Sequence, residues 1–467
     1  MKNPRSAFPW RNFLKALAAI AIPVALQNLL TTTASMVDTM MVAPLGQLSV
    51  GAIGLCAQFS GLMFSCYWGF VGGGSLFFAQ YWGSGEHDGI ERSYGLTLCF
   101  MMTVAVIFSG LALLAPELVM DLYTDKVSIQ QIGIQYLRIV GFAYPLQVLA
   151  VCMSALLRST ERVRIPLVAS SASVSANLLL NWVFIYGKFG FPAMGVRGAA
   201  LATTCAAAVN VLVIYIAAKA SGYPFLFHVR GHFRWTKAHI SAYLIKCFPI
   251  ICNELLIGVG NMVINVTLGR QSEEVIAAVA VFRTLEGLII GFFAGFSVAA
   301  SVLVGTCVGA GELETAYQRA KRLVYLCSGV IFTAGMAILA LHRPILTAMS
   351  LTGEAFRAGR TLLTIYIFVS LIRMGNWVQN DTYRASGDAV TGTVLEIVFM
   401  YLMVLPAVLL SGFVFKAPYW VIFLCCYIDE PIRYILMQRH LYSGKWIRPV
   451  TDRGRAALSA FREQRAK

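Results

Sequence analysis

The sequence predicts an all-α polytopic membrane protein, with about twelve transmembrane helices in two six-helix lobes related by a pseudo-twofold axis along the membrane normal. Three observations carry that expectation. Of 467 residues, 58% are apolar and only 13% charged, against about 25% charged in soluble domains. Apolar runs of spanning length recur from Phe13 to the region of Gln438. The second half also repeats the first at a constant displacement of 226 residues.

The expected spans are 13–42, 50–81, 93–115, 131–157, 164–187, 195–219, 242–268, 275–308, 321–341, 359–383, 389–413 and 417–438. The first is too long for a secretory signal and has many spans behind it, so we expect it to be retained. Basic residues collect in alternate loops. Lys2, Arg5, Arg11, Arg158, Arg162, Arg164, Arg230, Arg234, Lys237, Arg319, Lys321, Arg322 and the tail from Lys445 to Lys467 fall on one side. The opposite loops carry little, such as Lys126, Lys188, Arg270 and Lys416. The positive-inside rule makes the basic side, with both termini, cytoplasmic in a cell membrane. The net charge of +15 is spread over these loops and forms no single basic face, so no nucleic-acid partner is expected.

The repeat is read from residues in register. Pro23 falls on Pro249, Gly61 on Gly287, Ser75 on Ser301 and Arg158 on Arg384. The turn Gly83-Ser84-Gly85-Glu86 falls on Gly309-Ala310-Gly311-Glu312. Six spans per copy is an even number, so both copies share one orientation and the substrate path lies between them. The expected units are an amino-terminal lobe (1–220), a cytoplasmic linker (221–240), a carboxy-terminal lobe (241–440) and a basic tail (441–467). Gly72-Gly73-Gly74 in the second span would permit either close helix contact or local unwinding. The eleven cysteines show no metal spacing, and neither a cofactor nor a nucleotide-binding signature is expected.

The stretch Pro23 to Leu45 carries one carboxylate, Asp38, inside an apolar run. Burying a lone acid there costs about 2.5–3.5 kcal/mol, which marks a functional group; a cap beyond the helix end is the bland alternative. Asn177 and Asn181, four apart, share one face of the fifth span. At about 1.5 Å per residue, Asp38 lies about 12 Å below its outer turn, Asn181 about 9 Å, Asn177 about 15 Å and Thr203 about 12 Å. A carboxylate, two amides and a hydroxyl at one depth form an oxygen cluster suited to a proton or a monovalent cation. With no second acid or cationic side chain expected beside Asp38, H+ is favoured over Na+. The second copy lacks this cluster and has its own acid, Glu254, midway through the seventh span. It is a candidate for substrate or a second-lobe ion, or else a buried partner of Lys246 or Arg283. Arg283 and Glu286, three apart, should neutralise each other.

The segments SMVDTMMVAPLG, NLLLNWVFIYGKFGFPAMGVRGAALAT, FPIICNELLIG, LVGTCVGAGELETAYQRA, YRASGD and SGKW resemble the multidrug and toxic compound extrusion (MATE) family, of bacterial type, over nearly the whole chain. The resemblance implies a cation or proton site at Asp38, Asn177, Asn181 and Thr203. Asn181 stands where some members have an acid, and members with a carboxylate on the seventh helix place it at Glu254. Arg373 stands where some carry an acid on the tenth helix, which argues against a second-lobe sodium site of their kind. What is then expected is a monomeric secondary antiporter, not an enzyme. It would export amphipathic cationic drugs in exchange for H+ or Na+. A flippase of lipid-linked saccharides is the alternative, but its cavity would need clustered cationic side chains for pyrophosphate.

Overall fold

The computed structural model describes residues 8–349 and 351–466; Lys2, Arg5 and Lys467 lie outside them. The described residues form helices and loops only. The amino-terminal lobe is built from α1 (Trp10–Val42), α2 (Gln47–Ser84), α3 (His87–Leu114), α4 (Val127–Val140), α5 (Ala143–Ser159), α6 (Arg164–Tyr186) and α7 (Val196–Ala220). The carboxy-terminal lobe follows with α8 (Lys237–Leu268), α9 (Glu273–Gly309), α10 (Leu313–Ala340), α11 (Gly353–Ala385), α12 (Thr391–Phe399), α13 (Tyr419–Cys425) and α14 (Glu430–Ser443). A last helix, α15 (Asp452–Ala466), ends the described chain.

Among the described residues, ten stretches are long and apolar enough to span a bilayer. The fourth expected span, 131–157, is a pair, α4 and α5, bent by 51° at Gly141-Phe142. The twelfth, 417–438, is also broken. Asp429 and Glu430 sit where α13 has ended and α14 begins, and Pro431, which lacks an N–H, suits that first turn. The helix from Thr391 widens into π-helical turns at Met400–Val404 and Leu410–Val414, a known response to an interrupted hydrogen-bond ladder such as the one Pro406 creates. α1 runs unbroken through Asp38 to Val42, so that carboxylate is within the helix and not a cap beyond its end. Large apolar side chains such as Leu118, Met262 and Leu402 stand exposed, as lipid contact requires.

The lobes pack together from one end to about mid-helix, where Asn28 Nδ2 donates to the Gly291 carbonyl at 3.2 Å. α2 is continuous through Gly72-Gly73-Gly74, which settles the use of these glycines as close approach: a methyl at Gly73 would strike Cys247 of α8. Towards the end that carries the loop 85–87, Gly83 meets the Thr306 carbonyl and Gly309 meets that of Gln80. Towards the opposite end a methyl added at Gly51, Gly54, Gly61, Gly258 or Gly287 would meet no packed neighbour within 4 Å among the described residues. The bundle is closed on the basic side and open on the other.

Two connecting segments lie across the closed end. Within 221–240, a short helical turn at Val229–His232 docks on α3, where Gly95 admits the His232 carbonyl. The tail is packed. Trp446 is fully buried, Val450 N–H donates to Gln80 Oε1 at 2.8 Å, and Thr451 donates to the Gly309 carbonyl at 2.8 Å. Gln80 Nε2 in turn donates to the Ala385 carbonyl at 2.8 Å, so one side chain of α2 holds both α11 and the tail.

Candidate functional site

Helical register builds the amino-terminal cavity. Gln27, Thr31, Ser35 and Asp38 follow the three-to-four spacing of one face of α1, and Ser170, Ser173 and Asn177 do the same on α6. With α5 and α7 they line a cavity of about 400 Å³. Asp38 is at one end. Asn181 Nδ2 donates to Asp38 Oδ1 at 2.8 Å. Turned with its nitrogen towards the carboxylate, the Asn177 amide donates to Oδ1 at 2.6 Å and Oδ2 at 3.2 Å. No cationic side chain pairs with Asp38 among the described residues.

Thr203 lines the same cavity, but its hydroxyl donates to Ala199 O at 3.0 Å within its own helix. It therefore has only lone pairs left to offer the cavity. Tyr136 neighbours both Thr203 and Asp38; sequence reasoning missed it because depth along a bent span cannot be counted from one turn. Gln27 bridges α1 to α6 through Nε2 to Ser170 Oγ at 2.8 Å, while its Oε1 is buried without a partner.

Glu254 belongs to a different cluster, in the other lobe. Its partner is Arg384, at 3.6 Å, rather than Lys246 or Arg283. Lys246 donates to the Gly387 carbonyl at 2.6 Å. Arg283 does pair with Glu286, at 2.6 Å, and Arg373 shares that carboxylate at 2.7 Å. Arg384 also faces Asp381 at 3.9 Å and Glu396 at 4.0 Å. Arg433 faces Glu396 at 3.7 Å, Asp429 at 3.5 Å and Glu430 at 2.7 Å. Asn253 and Asn380 both donate to Glu396 at 3.1 Å, and Ser297 donates to Asp381. Six carboxylates thus share four guanidiniums inside the lobe. Asp429, Glu430 and Arg433 were missed, although the run Asp429-Glu430-Pro431-Ile432-Arg433 in an apolar stretch was the available signal.

A smaller cavity, about 140 Å³, lies where the lobes meet. Its walls are repeat copies of each other: Ser75 with Ser301, Leu76 with Val302, and Arg158 with Arg384.

Comparison with known proteins fits this geometry. The family model MatE matches residues 23–183 and again 249–409, the same 226-residue displacement. The chain belongs to the MatE family. It is therefore a membrane transporter and not an enzyme. This MatE protein is 21% identical to the "Uncharacterized transporter YisQ" of Bacillus subtilis (strain 168), over 92% of this chain and 95% of that protein. It is 33% identical to the "Probable multidrug resistance protein NorM" of Mesorhizobium japonicum, over 42% of each chain. Among solved structures, a MATE protein "in the bent conformation" superposes with a TM-score of 0.81 at 17% identity, covering 99% of this chain and 100% of that one. The "outward-facing conformation of a multidrug resistance MATE family transporter" gives 0.80 at 16% identity, covering 94% and 100%. These superpositions show that the fold is the twelve-helix, two-lobe one.

Proposed function

We propose that this MatE protein is a secondary antiporter that exports amphipathic organic cations, drugs among them, in exchange for an inward cation by alternating access. The observation that carries the reading is Asp38, one carboxylate held between two amides on the wall of a drug-sized cavity. The names of its relatives, several of them multidrug resistance proteins, agree with it. The units are the two lobes 1–220 and 241–440, joined by 221–240 and followed by the tail. The basic, closed end faces the cytoplasm of a cell membrane, with the protein acting as a monomer.

Protons are the coupling ion we favour. The Asn177 amide lies 2.6 Å from Asp38 Oδ1, and either of its ends can serve that contact. Its N–H can donate to the ionised carboxylate; turned over, its oxygen can accept from the protonated one. A single amide flip thus satisfies both proton states without moving a helix. A sodium ion would instead need several oxygens turned inward at once. Arg283, Arg373, Arg384 and Arg433 of the other lobe all face carboxylates, which leaves none of these four for a lipid pyrophosphate. The cation and the drug drive exchange only if each binds one conformation better.

In proteoliposomes, an imposed pH gradient without sodium should drive transport of a cationic dye by the wild-type protein. Asp38→Asn should abolish dye-coupled ion movement, and Asn181→Ala should weaken it and shift its ion dependence. Full activity of Asp38→Asn rejects the site. Transport that follows a sodium gradient and ignores pH rejects the proton.

A further inference from the structure

A cavity of about 960 Å³ lies at the closed end, apart from the one that holds Asp38. Its walls are the 85–89 turn and Arg92 of the amino-terminal lobe, the first turns of α8 as far as Lys246, and the tail from Arg448 to Leu458. The repeat shows that such a space is not inherent in the fold. At the displacement of 226 residues, Lys246 falls on Ile20, His239 on Phe13, Phe77 on Leu303 and Tyr81 on Cys307. Those four copies are buried in one apolar cluster that joins α1 to α9. Between α2 and α8 the same four positions line an open cavity, and two of them are Lys and His.

The charges around this cavity fall into two groups. In one, the exposed Asp88 and Asp452 pair with Arg92 at 3.4 Å and with Arg455 at 3.6 Å, and Glu86 neighbours Tyr81 together with those arginines. In the other, Lys246 has no carboxylate at ion-pair distance among the described residues. Its ammonium donates to the Gly387 carbonyl at 2.6 Å, while the Arg448 N–H donates to the adjacent Ser386 carbonyl at 2.9 Å. One turn of chain thus holds two cations side by side. The carboxylate near them, Asp388, is fully buried and already serves Arg448 at 3.2 Å and His440 at 2.8 Å. Lys246 keeps donors free for an anion. Depth says which anion. Leu268, the last residue of α8, is about 33 Å along the helix from Lys246 at about 1.5 Å per residue. An apolar core is about 30 Å thick, so Lys246 stands at headgroup level. Ile245 and Phe248 beside it are 65% and 66% exposed on this spanning helix, where acyl chains would lie.

We propose that this cavity binds the headgroup of an anionic phospholipid from the leaflet at the closed end, with Lys246 and Arg448 on its phosphate and its acyl chains along Ile245 and Phe248. Such a lipid touches both lobes and the tail at once, and so fastens the closed end.

The test titrates the purified full-length protein with phosphatidylglycerol or phosphatidylcholine of matched acyl chains and counts bound lipid by native mass spectrometry. Wild type should bind phosphatidylglycerol about fivefold tighter or more, the effect of one basic side chain near an anionic lipid. Lys246→Gln should remove most of that preference and Lys246→Arg should keep it. Arg230→Gln, at an exposed position of the same end outside the cavity, should leave it unchanged. Full preference in Lys246→Gln overturns the proposal, and an equal loss in Arg230→Gln overturns it in favour of diffuse surface attraction. Wild type without a preference overturns it with no variant needed, which covers a variant that does not fold. Glycerol phosphate that displaces half of the phosphatidylglycerol at equal concentration makes a free phosphate ester the ligand and overturns the lipid assignment.

Discussion

Glu254 and Arg384 show how far a single residue can be read without its neighbours. The sequence marks Glu254 as an acid midway through an apolar span, but its partner, 130 residues away, is one of several candidate cations that no spacing rule selects. The structure makes it one of three acids around one guanidinium, and unequal mutational effects follow. Arg384→Gln leaves the part-buried Glu254 and Asp381 without their cation, while Glu396 keeps Arg433, so we expect it to destabilise the protein by about 3 kcal/mol. Glu254→Gln keeps Asp381 and Glu396 on Arg384, so its melting temperature in detergent should fall much less. Equal losses from both variants would show that the cluster does not share charge as described. Asp38, Asn177 and Asn181 were legible because one acid in an apolar run and two amides four apart are local patterns. The Thr203 hydroxyl and the neighbouring Tyr136 depend on rotamers and on a bend, which no pattern encodes.

Helices bring different limits. Ten of the expected spans were legible from hydropathy alone, while α4–α5 and α13–α14 were not seen as broken, because polar turns inside a protein-lined interior do not interrupt the apolar average enough. Close approach between α2 and α9 depends on absent side chains. Gly309→Leu should wedge these helices apart at the closed end, against the Gln80 carbonyl, and favour the conformation open there. Pulsed distance measurements between spin labels on the 85–87 and 311–313 turns should show a longer population. An unchanged distance would mean that the contact does not hold the closure. The loop after α11 offers a pH test. Burial disfavours the charged Asp388, but hydrogen bonds from His440 and Thr391 and the nearby Arg448 outweigh it and hold its carboxyl below the ordinary carboxylate value. A depressed value means its stabilisation is present above the unfolded value of about 3.9 and is lost as pH falls through the folded one. Asp388→Asn should therefore lower the melting temperature at neutral pH, and the difference should vanish on acidification below that range.

At the scale of the whole molecule, alternating loop charge and the internal repeat were enough to anticipate two lobes of like orientation, and the same charge pattern predicts a cytoplasmic linker. Impermeant labelling of intact cells should fail to reach a tag placed in 221–240; labelling there would invert the orientation. What the sequence could not convey is that the basic tail is a structural part. Its polar composition reads as a free cytoplasmic extension, yet Trp446 is buried and Val450 and Thr451 bond to opposite lobes. Gln80 is thus finished by atoms translated some 370 residues after it. During synthesis the ribosome will have inserted both lobes before this partner exists, so the half-made protein has no means of sealing its closed end in the native way. Closure becomes a step that only a completed chain can take, and a truncated product left in the membrane would retain its helices without its seal.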